Sequence, residues 1–362
     1  MRLSFYAGNI YKGKLYFSSC YYNALFEKDL KTGEIHTISY LEKEEGCPVL
    51  YRNSFRCGND IWFIPGNAKH ILKYNVENRN VDYIEFLNIC QHDPSDTTGL
   101  FFHSVLRDGD SLLLLPYAVD SVIKIDMKSG DIYVAKDIHL QDGKKVFCGE
   151  VVNGRLLIFL TDFKSYIDID LDGEDKWELR EWNTSIDGES HRRTVRVGDE
   201  IWFAPRNKDY FTIWNAKNDS LEKVSISGEK NNSYSGGIVQ GDEVIFFPFY
   251  SDHFLIVNKN THNVRTLRKN EYGYIFANGE NIMNSIESDE GTYITAGGMG
   301  AYIKYDGSFD DYEAFTLDTE NNDVYATVQT AMKSDKLFEL LHGKDTILQE
   351  KEIGLENFLR RI

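Results

Sequence analysis

The chain has 362 residues, 42% hydrophobic and 14% aromatic, and carries 40 basic against 57 acidic side chains for a net charge of −17. That acidity argues against nucleic acid and anionic membranes as partners, because both require a basic face. No run approaches the ~18 apolar residues that span a bilayer, and the opening MRLSFYAGNI lacks the apolar segment and small-residue cleavage site of a signal peptide.

In chain order, the same element recurs seven times. Gly13 opens GKLYFSS, Gly58 opens GNDIWFIP, Gly109 opens GDSLLLLP and Gly154 opens GRLLIFLT. Gly198 then opens GDEIWFAP, Gly241 opens GDEVIFFP and Gly291 opens GTYITAGG. The spacing is about 45 residues, the period of a propeller blade. Pro65, Pro116, Pro205 and Pro248 share one register after their glycines, and the chain has only six prolines. Further on in each copy an Asn or Asp precedes a turn-like stretch, as in Asn75, Asp126, Asn215 and Asn258. Such residues start turns by bonding backbone two residues on. Each copy therefore reads as four short strands, and the apolar runs are continuous because each blade is covered on both faces. The expectation is an all-β, seven-bladed β-propeller of four antiparallel strands per blade over residues 1–318.

After about Thr316 the pattern changes, and 319–362 reads as a C-terminal extension. Ser334 with Asp335 caps a short helix KLFELL, ended near Gly343. Leu355, Phe358, Leu359 and Ile362 form a helical apolar stripe, with Arg360 and Arg361 at the negative end of the helix dipole. That stripe either packs on the propeller or docks a partner or a second copy.

The repeat resembles the seven-bladed propellers of the broad kelch-like and streptogramin-lyase-like kind. Gly297-Gly298 matches the kelch glycine pair, and GNDIWFIP is similar to a streptogramin-lyase strand. The resemblance implies that the first strand of each blade is innermost. Loops entering it lie on the top face, and the glycine hairpins and Asx turns lie on the bottom.

Seven residues before the glycines stand Tyr6, Tyr51, Phe102, Phe147, His191 and Tyr234. They either pack between blades or offer a stacking surface for a planar or sugar ligand. One residue later stand Ala7, Arg52, His103, Cys148, Arg192 and Ser235, with Glu150 and Arg193 close by. Alternation along a strand would turn this second set toward the channel mouth. Lys69, His70, Lys164, Lys208 and His253 add basic groups on the same face, whereas the hairpins are acidic at Asp60, Asp108, Asp110, Asp199, Glu200, Asp242 and Glu243. The expected ligand-binding set is thus Tyr51, Arg52, His103, Glu150, His191, Arg192, Arg193 and Tyr234. Its partner would be an anionic small molecule or an acidic peptide of a protein partner, because an Arg fork bonds both oxygens of a carboxylate or phosphate. The competing reading pairs these arginines with nearby carboxylates, Glu150 among them.

Catalytic signatures are missing: there is no HExxH, GxSxG, P-loop or GxGxxG before a helix. His92, Asp93 and Asp96 lie close in sequence, but no spacing demands a metal. No cofactor is expected. The alternative is a lyase or hydrolase in which His103, His191 and Glu150 meet at the channel mouth, where the blades converge; the resemblance to streptogramin lyases implies His and Glu near such a mouth with a divalent metal, although no motif here matches closely enough to carry those residues over. The five cysteines are odd in number, widely spaced and without CxxC, so a reducing cytoplasm fits best.

Overall fold

A computed structural model of the chain describes residues 1–47, 49–90, 101–117, 119–138, 140, 144–162, 164–171, 177–182, 191–226, 233–249, 251, 253–268, 283–296, 300–305 and 313–331. Among the described residues, twenty-eight strands, β1 to β28 in chain order, form seven four-stranded antiparallel blades, and the chain is a seven-bladed β-propeller. The first strand of each blade is innermost: β1 (Phe5–Tyr11), β5 (Tyr51–Cys57), β9 (Phe102–Asp108), β13 (Val146–Val152), β17 (His191–Val197), β21 (Tyr234–Gln240) and β25 (Met283–Ser288).

The continuous apolar runs sit on second strands that bury both faces. In β6 (Asp60–Pro65), Ile61 and Phe63 enter the cluster shared with the first blade. Trp62 and Ile64, alternating with them, enter the cluster shared with the third. The same division holds in β18 (Glu200–Pro205), where Ile201 and Phe203 face one neighbouring blade and Trp202 and Ala204 the other. The shared prolines close these strands. The pairing of β6 with the third strand stops at Phe63↔Leu72, so Pro65 needs no N–H on that side. The ladders stop two residues before Pro116, Pro205 and Pro248 in the same way.

The hairpins of blades one to six come in two kinds. In blades two, three, five and six, Gly58, Gly109, Gly198 and Gly241 take positive φ alone at the first turn position, the requirement of a type II′ turn. In blades one and four, Lys12-Gly13 and Asn153-Gly154 both take positive φ, a type I′ turn with glycine second. Counting back from the glycine therefore shifts blades one and four by one residue. In blades one, two, three, five and six the turns between third and fourth strands are Asx turns, as expected. The side chains of Asp29, Asn75, Asp126, Asn215 and Asn258 each accept backbone N–H bonds two and three residues on.

The ring closes without strand exchange. Strand β1 pairs in parallel with β25 at Asn9↔Glu287 and Ile10↔Ser288, joining the first and seventh blades into one sheet. Leu3 N donates to Leu317 O at 3.0 Å, and Arg2 forks onto Asp318 at 3.0 and 2.8 Å. Helix α1 (Asn322–Ala331), capped by Asn321, then sets Val324, Val328 and Ala331 into the first-blade core beside Phe26 and Ile35. Its β-branched sequence, NDVYATVQTA, gives a weak helical signal. The helices expected at KLFELL and GLENFLRRI lie outside the described residues, as do His92, Asp93, Asp96 and the Gly297-Gly298 pair.

Candidate functional site

Within the ring of inner strands lies a cavity of about 450 Å³. Runs of consecutive residues line it, among them Asn53–Phe55, Ser104–Arg107, Cys148–Glu150 and Arg193–Thr194, with Tyr6, Gly236, Gly237 and Ser285. Alternation would have predicted every second residue. The reason lies in the architecture. Both faces of a blade pack on neighbours, so alternation divides side chains between two interfaces. The axis faces the edge of each sheet, where β5, β9, β13, β17 and β21 have no further strand to pair with. Their outward N–H and C=O groups make the cavity wall polar before any side chain is counted.

A β-bulge recurs near the start of six inner strands. One extra residue stands between Tyr51 and Asn53, between Phe102 and Ser104, between Val146 and Cys148, and between Tyr234 and Gly236. Irregularities at Phe5/Gly8 and His191/Thr194 match them. Bulges re-aim side chains and break alternation. Pairing aligns Phe5, Tyr51, Phe102, Val146, His191 and Tyr234, and sets Arg52, His103 and Phe147 at the bulge.

The tyrosines placed in the expected ligand set lie elsewhere. Tyr51 and Tyr234 are both 0% exposed, and neither lines the cavity. Tyr51 packs on Phe63 and its hydroxyl reaches Glu44 at 3.4 Å; the Tyr234 hydroxyl meets His253 Nε2 at 2.7 Å. Their rings serve inter-blade packing, because the bulge follows them and the strand edge, not its face, meets the axis. Arg52 is half-buried at its bulge, apart from the cavity-lining residues. The side chains of His103, His191 and Arg192 lie outside the described residues. Glu150 and Arg193 do line the cavity.

Of the other basic groups expected on the same face, His253, Lys69 and His70 are engaged. His253 is buried, Lys69 Nζ bonds Glu45 at 2.9 Å, and His70 Nδ1 bonds the buried Glu44 at 2.8 Å. At the opposite end the acidic hairpins meet cations: Asp60 pairs with Lys73, Asp110 with Lys128, Asp242 with Lys259 and Glu243 with Arg265. There Arg56, Arg107 and Arg196 each bond the carbonyl of the hairpin glycine two residues on, at 2.9, 3.0 and 3.0 Å.

Arg193 is positioned by a neighbouring glycine. A Cβ built on Gly236 would lie 3.1 Å from both Cβ and Cδ of Arg193, and Gly236 has φ of 144°. The stem of Arg193 thus lies across bare backbone of the sixth blade. On the adjacent inner strand, burial pushes the Glu150 carboxyl up to about 7, opposed in part by a hydrogen bond from Thr194 and by the charge of Arg196. Thr194 Oγ1 donates to Glu150 Oε1 at 2.7 Å. Burial also pushes the Cys148 thiol far up, which keeps it protonated and unreactive. Sequence reasoning missed Asn53, Ser54, Ser104, Thr194 and Ser285. Their signal would have been consecutive polar or small residues just after the bulge.

By sequence the chain matches no protein-family model and no curated protein. Its fold is widely shared. A catalytically inactive variant of virginiamycin B lyase from Staphylococcus aureus, with quinupristin, is 10% identical, with TM-score 0.58 over 82% of this chain and 93% of that one. A streptogramin B lyase is 14% identical, with TM-score 0.56 over 82% and 92%. PorZ, a surface component of the type-IX secretion system of Porphyromonas gingivalis, is 12% identical, with TM-score 0.61 over 89% of this chain and 39% of that one. The propeller is thus of the streptogramin-lyase-like kind in fold, and its neighbours include both lyase and non-lyase propellers. At such identities the likeness speaks to fold alone.

Proposed function

We propose that this chain is a ligand-binding propeller whose axial cavity takes a compact anionic molecule. The observation that carries this reading is Arg193, a cation lining a polar internal cavity and seated on the bare backbone of Gly236. A guanidinium fork suits carboxylate or phosphate. Asn53, Ser104 and Ser285 add polar side chains to the wall. The volume of about 450 Å³ falls within the ordinary range of small-molecule sites. A thermal-shift screen with phosphate, simple carboxylates, sugars and divalent metals tests it, run on the native chain and on Arg193→Gln. Stabilisation by an anion that the variant loses supports the reading, since binding to the native state raises its stability. Equal stabilisation of both proteins would move the anion elsewhere and end it. No shift with any compound would favour a protein-binding scaffold.

One observation favours an enzyme as the second reading. A carboxyl held at about 7 inside a cavity is poised for general acid–base work near neutral pH. Incubation with quinupristin, followed by mass spectrometry, tests it. A product that Glu150→Gln fails to make supports it, and an unchanged compound opposes it.

A further inference from the structure

Three carboxylates are buried among the described residues, Glu44, Asp168 and Glu27, and all three are matched, whereas Glu150 is half-buried on the cavity wall. Glu44 receives the N–H groups of Lys69 and His70 at 2.8 and 2.9 Å and the His70 ring at 2.8 Å. Asp168 is forked by Arg155 and met by Arg180 at 3.2 Å. Glu27 holds Lys14 and Arg79 at 3.2 and 3.3 Å. Glu150 has one partner, the Thr194 hydroxyl on Oε1. Its Oε2 has no hydrogen-bond partner among the described residues, and the residue lines the cavity. Glu150 is half-buried, so an oxygen without a partner on the cavity wall is open to a donor that enters the cavity.

The other groups around it do not fill that role. Tyr6, Arg107, Cys148 and Arg193 are the remaining charged or titratable residues on the cavity wall among the described residues. Arg196 is the cation whose charge reaches Glu150, and its guanidinium is spent on the carbonyls of Gly198 and Val151. Arg193 leans the other way, across Gly236. The cavity therefore carries a cation toward blade six and an unmatched carboxyl on blade four.

Given the anion reading of the cavity, on which this rests, we infer that the ligand is zwitterionic: an amino-bearing acid whose ammonium donates to Glu150 while its anionic group meets Arg193. As the ammonium arrives, protonated Glu150 releases its proton to solvent and the carboxylate accepts the N–H bond. No bond other than that O–H breaks. The ligand class is thus amino acids and their homologues, in preference to plain anions or sugars.

Calorimetric titration of the full chain with γ-aminobutyrate, β-alanine and glutamate, each beside butyrate, propionate and glutarate, tests it. The amino-bearing member of at least one pair should bind tighter by about tenfold or more, the worth of one charge-assisted hydrogen bond. Glu150→Gln should abolish that difference while leaving the amine-free acid bound. At pH 6, in buffers of different ionisation enthalpy, amine binding should release a proton, because burial raises the Glu150 carboxyl and the arriving ammonium favours its ionised form. Equal binding of both members of every pair refutes the zwitterion and leaves the anion reading standing. Binding by none of the six refutes both for this class of acids. An amine preference that survives Glu150→Gln assigns the ammonium to another group and overturns the role given to Glu150.

Discussion

Glu150 makes a prediction about stability that needs no ligand. Its carboxyl rises from 4.5 to about 7 through burial. The folded chain therefore holds this proton more tightly than the unfolded chain does. Between pH 4.5 and 7 the native state binds more protons at this site, so stability falls as pH rises through that window and is flat above it. At about 1.4 kcal/mol per unit, the penalty at pH 8 is about 3 kcal/mol, an upper bound because solvent entering the channel relaxes it. Glu150→Gln keeps the shape and the bond from Thr194 and removes the charge. For a chain of 362 residues unfolding in one step, about 3 kcal/mol corresponds to a rise in Tm of roughly 4 °C. The assay is thermal unfolding of both proteins at half-unit steps from pH 4.5 to 8.5. The quantity read is the difference between variant and native Tm, which cancels every other titrating group. It should be near zero at pH 4.5 and grow to its plateau above pH 7. A difference that is constant with pH, or that shrinks as pH rises, refutes the reasoning.

Three further outcomes are expected. Gly236→Ala places a Cβ at 3.1 Å from the Arg193 stem on backbone of positive φ, so it should cost about 1–3 kcal/mol in chemical denaturation. It should also weaken anion binding as Arg193→Gln does. Tyr234→Phe removes the buried hydroxyl at 2.7 Å from His253 and should cost about 1–3 kcal/mol while leaving ligand affinity unchanged. A loss of affinity would return Tyr234 to the site. Val328→Ala on α1 should destabilise by about 2 kcal/mol, because its side chain is 1% exposed in the first-blade core. An unchanged denaturation midpoint would mean that the helix does not hold the closure.

What the sequence made legible and what it hid divide along one physical line. The apolar runs, the shared prolines, the hairpin glycines and the Asx residues are local rules, each visible in a few residues, and together they set the blades in order. The channel is a relation between seven strands meeting edge-on. Face alternation is the rule for a sheet with one wet side, and no blade here has one. That is why Tyr51 and Tyr234 look available in sequence and are 0% exposed in the fold. The turn type compounds the effect. With Asn153-Gly154 read in the register of Gly58, Phe147 falls beside Tyr51; with the I′ turn allowed for, it falls beside Arg52.

Aligned this way, Glu150 stands where blade two has Phe55, blade three Leu106, blade five Val195 and blade six Ile238. Of the blades whose inner strands bulge, only the first also sets a polar residue there, Asn9, which is 0% exposed. A carboxylate at an otherwise mostly apolar register is a local rule broken. Packing alone would favour a Val or Leu there, since an apolar side chain carries no desolvation cost. Sequences retain such a departure where something outside the fold offsets it. The pH series on Glu150→Gln measures how large that departure is, and the paired titrations ask what chemistry answers it.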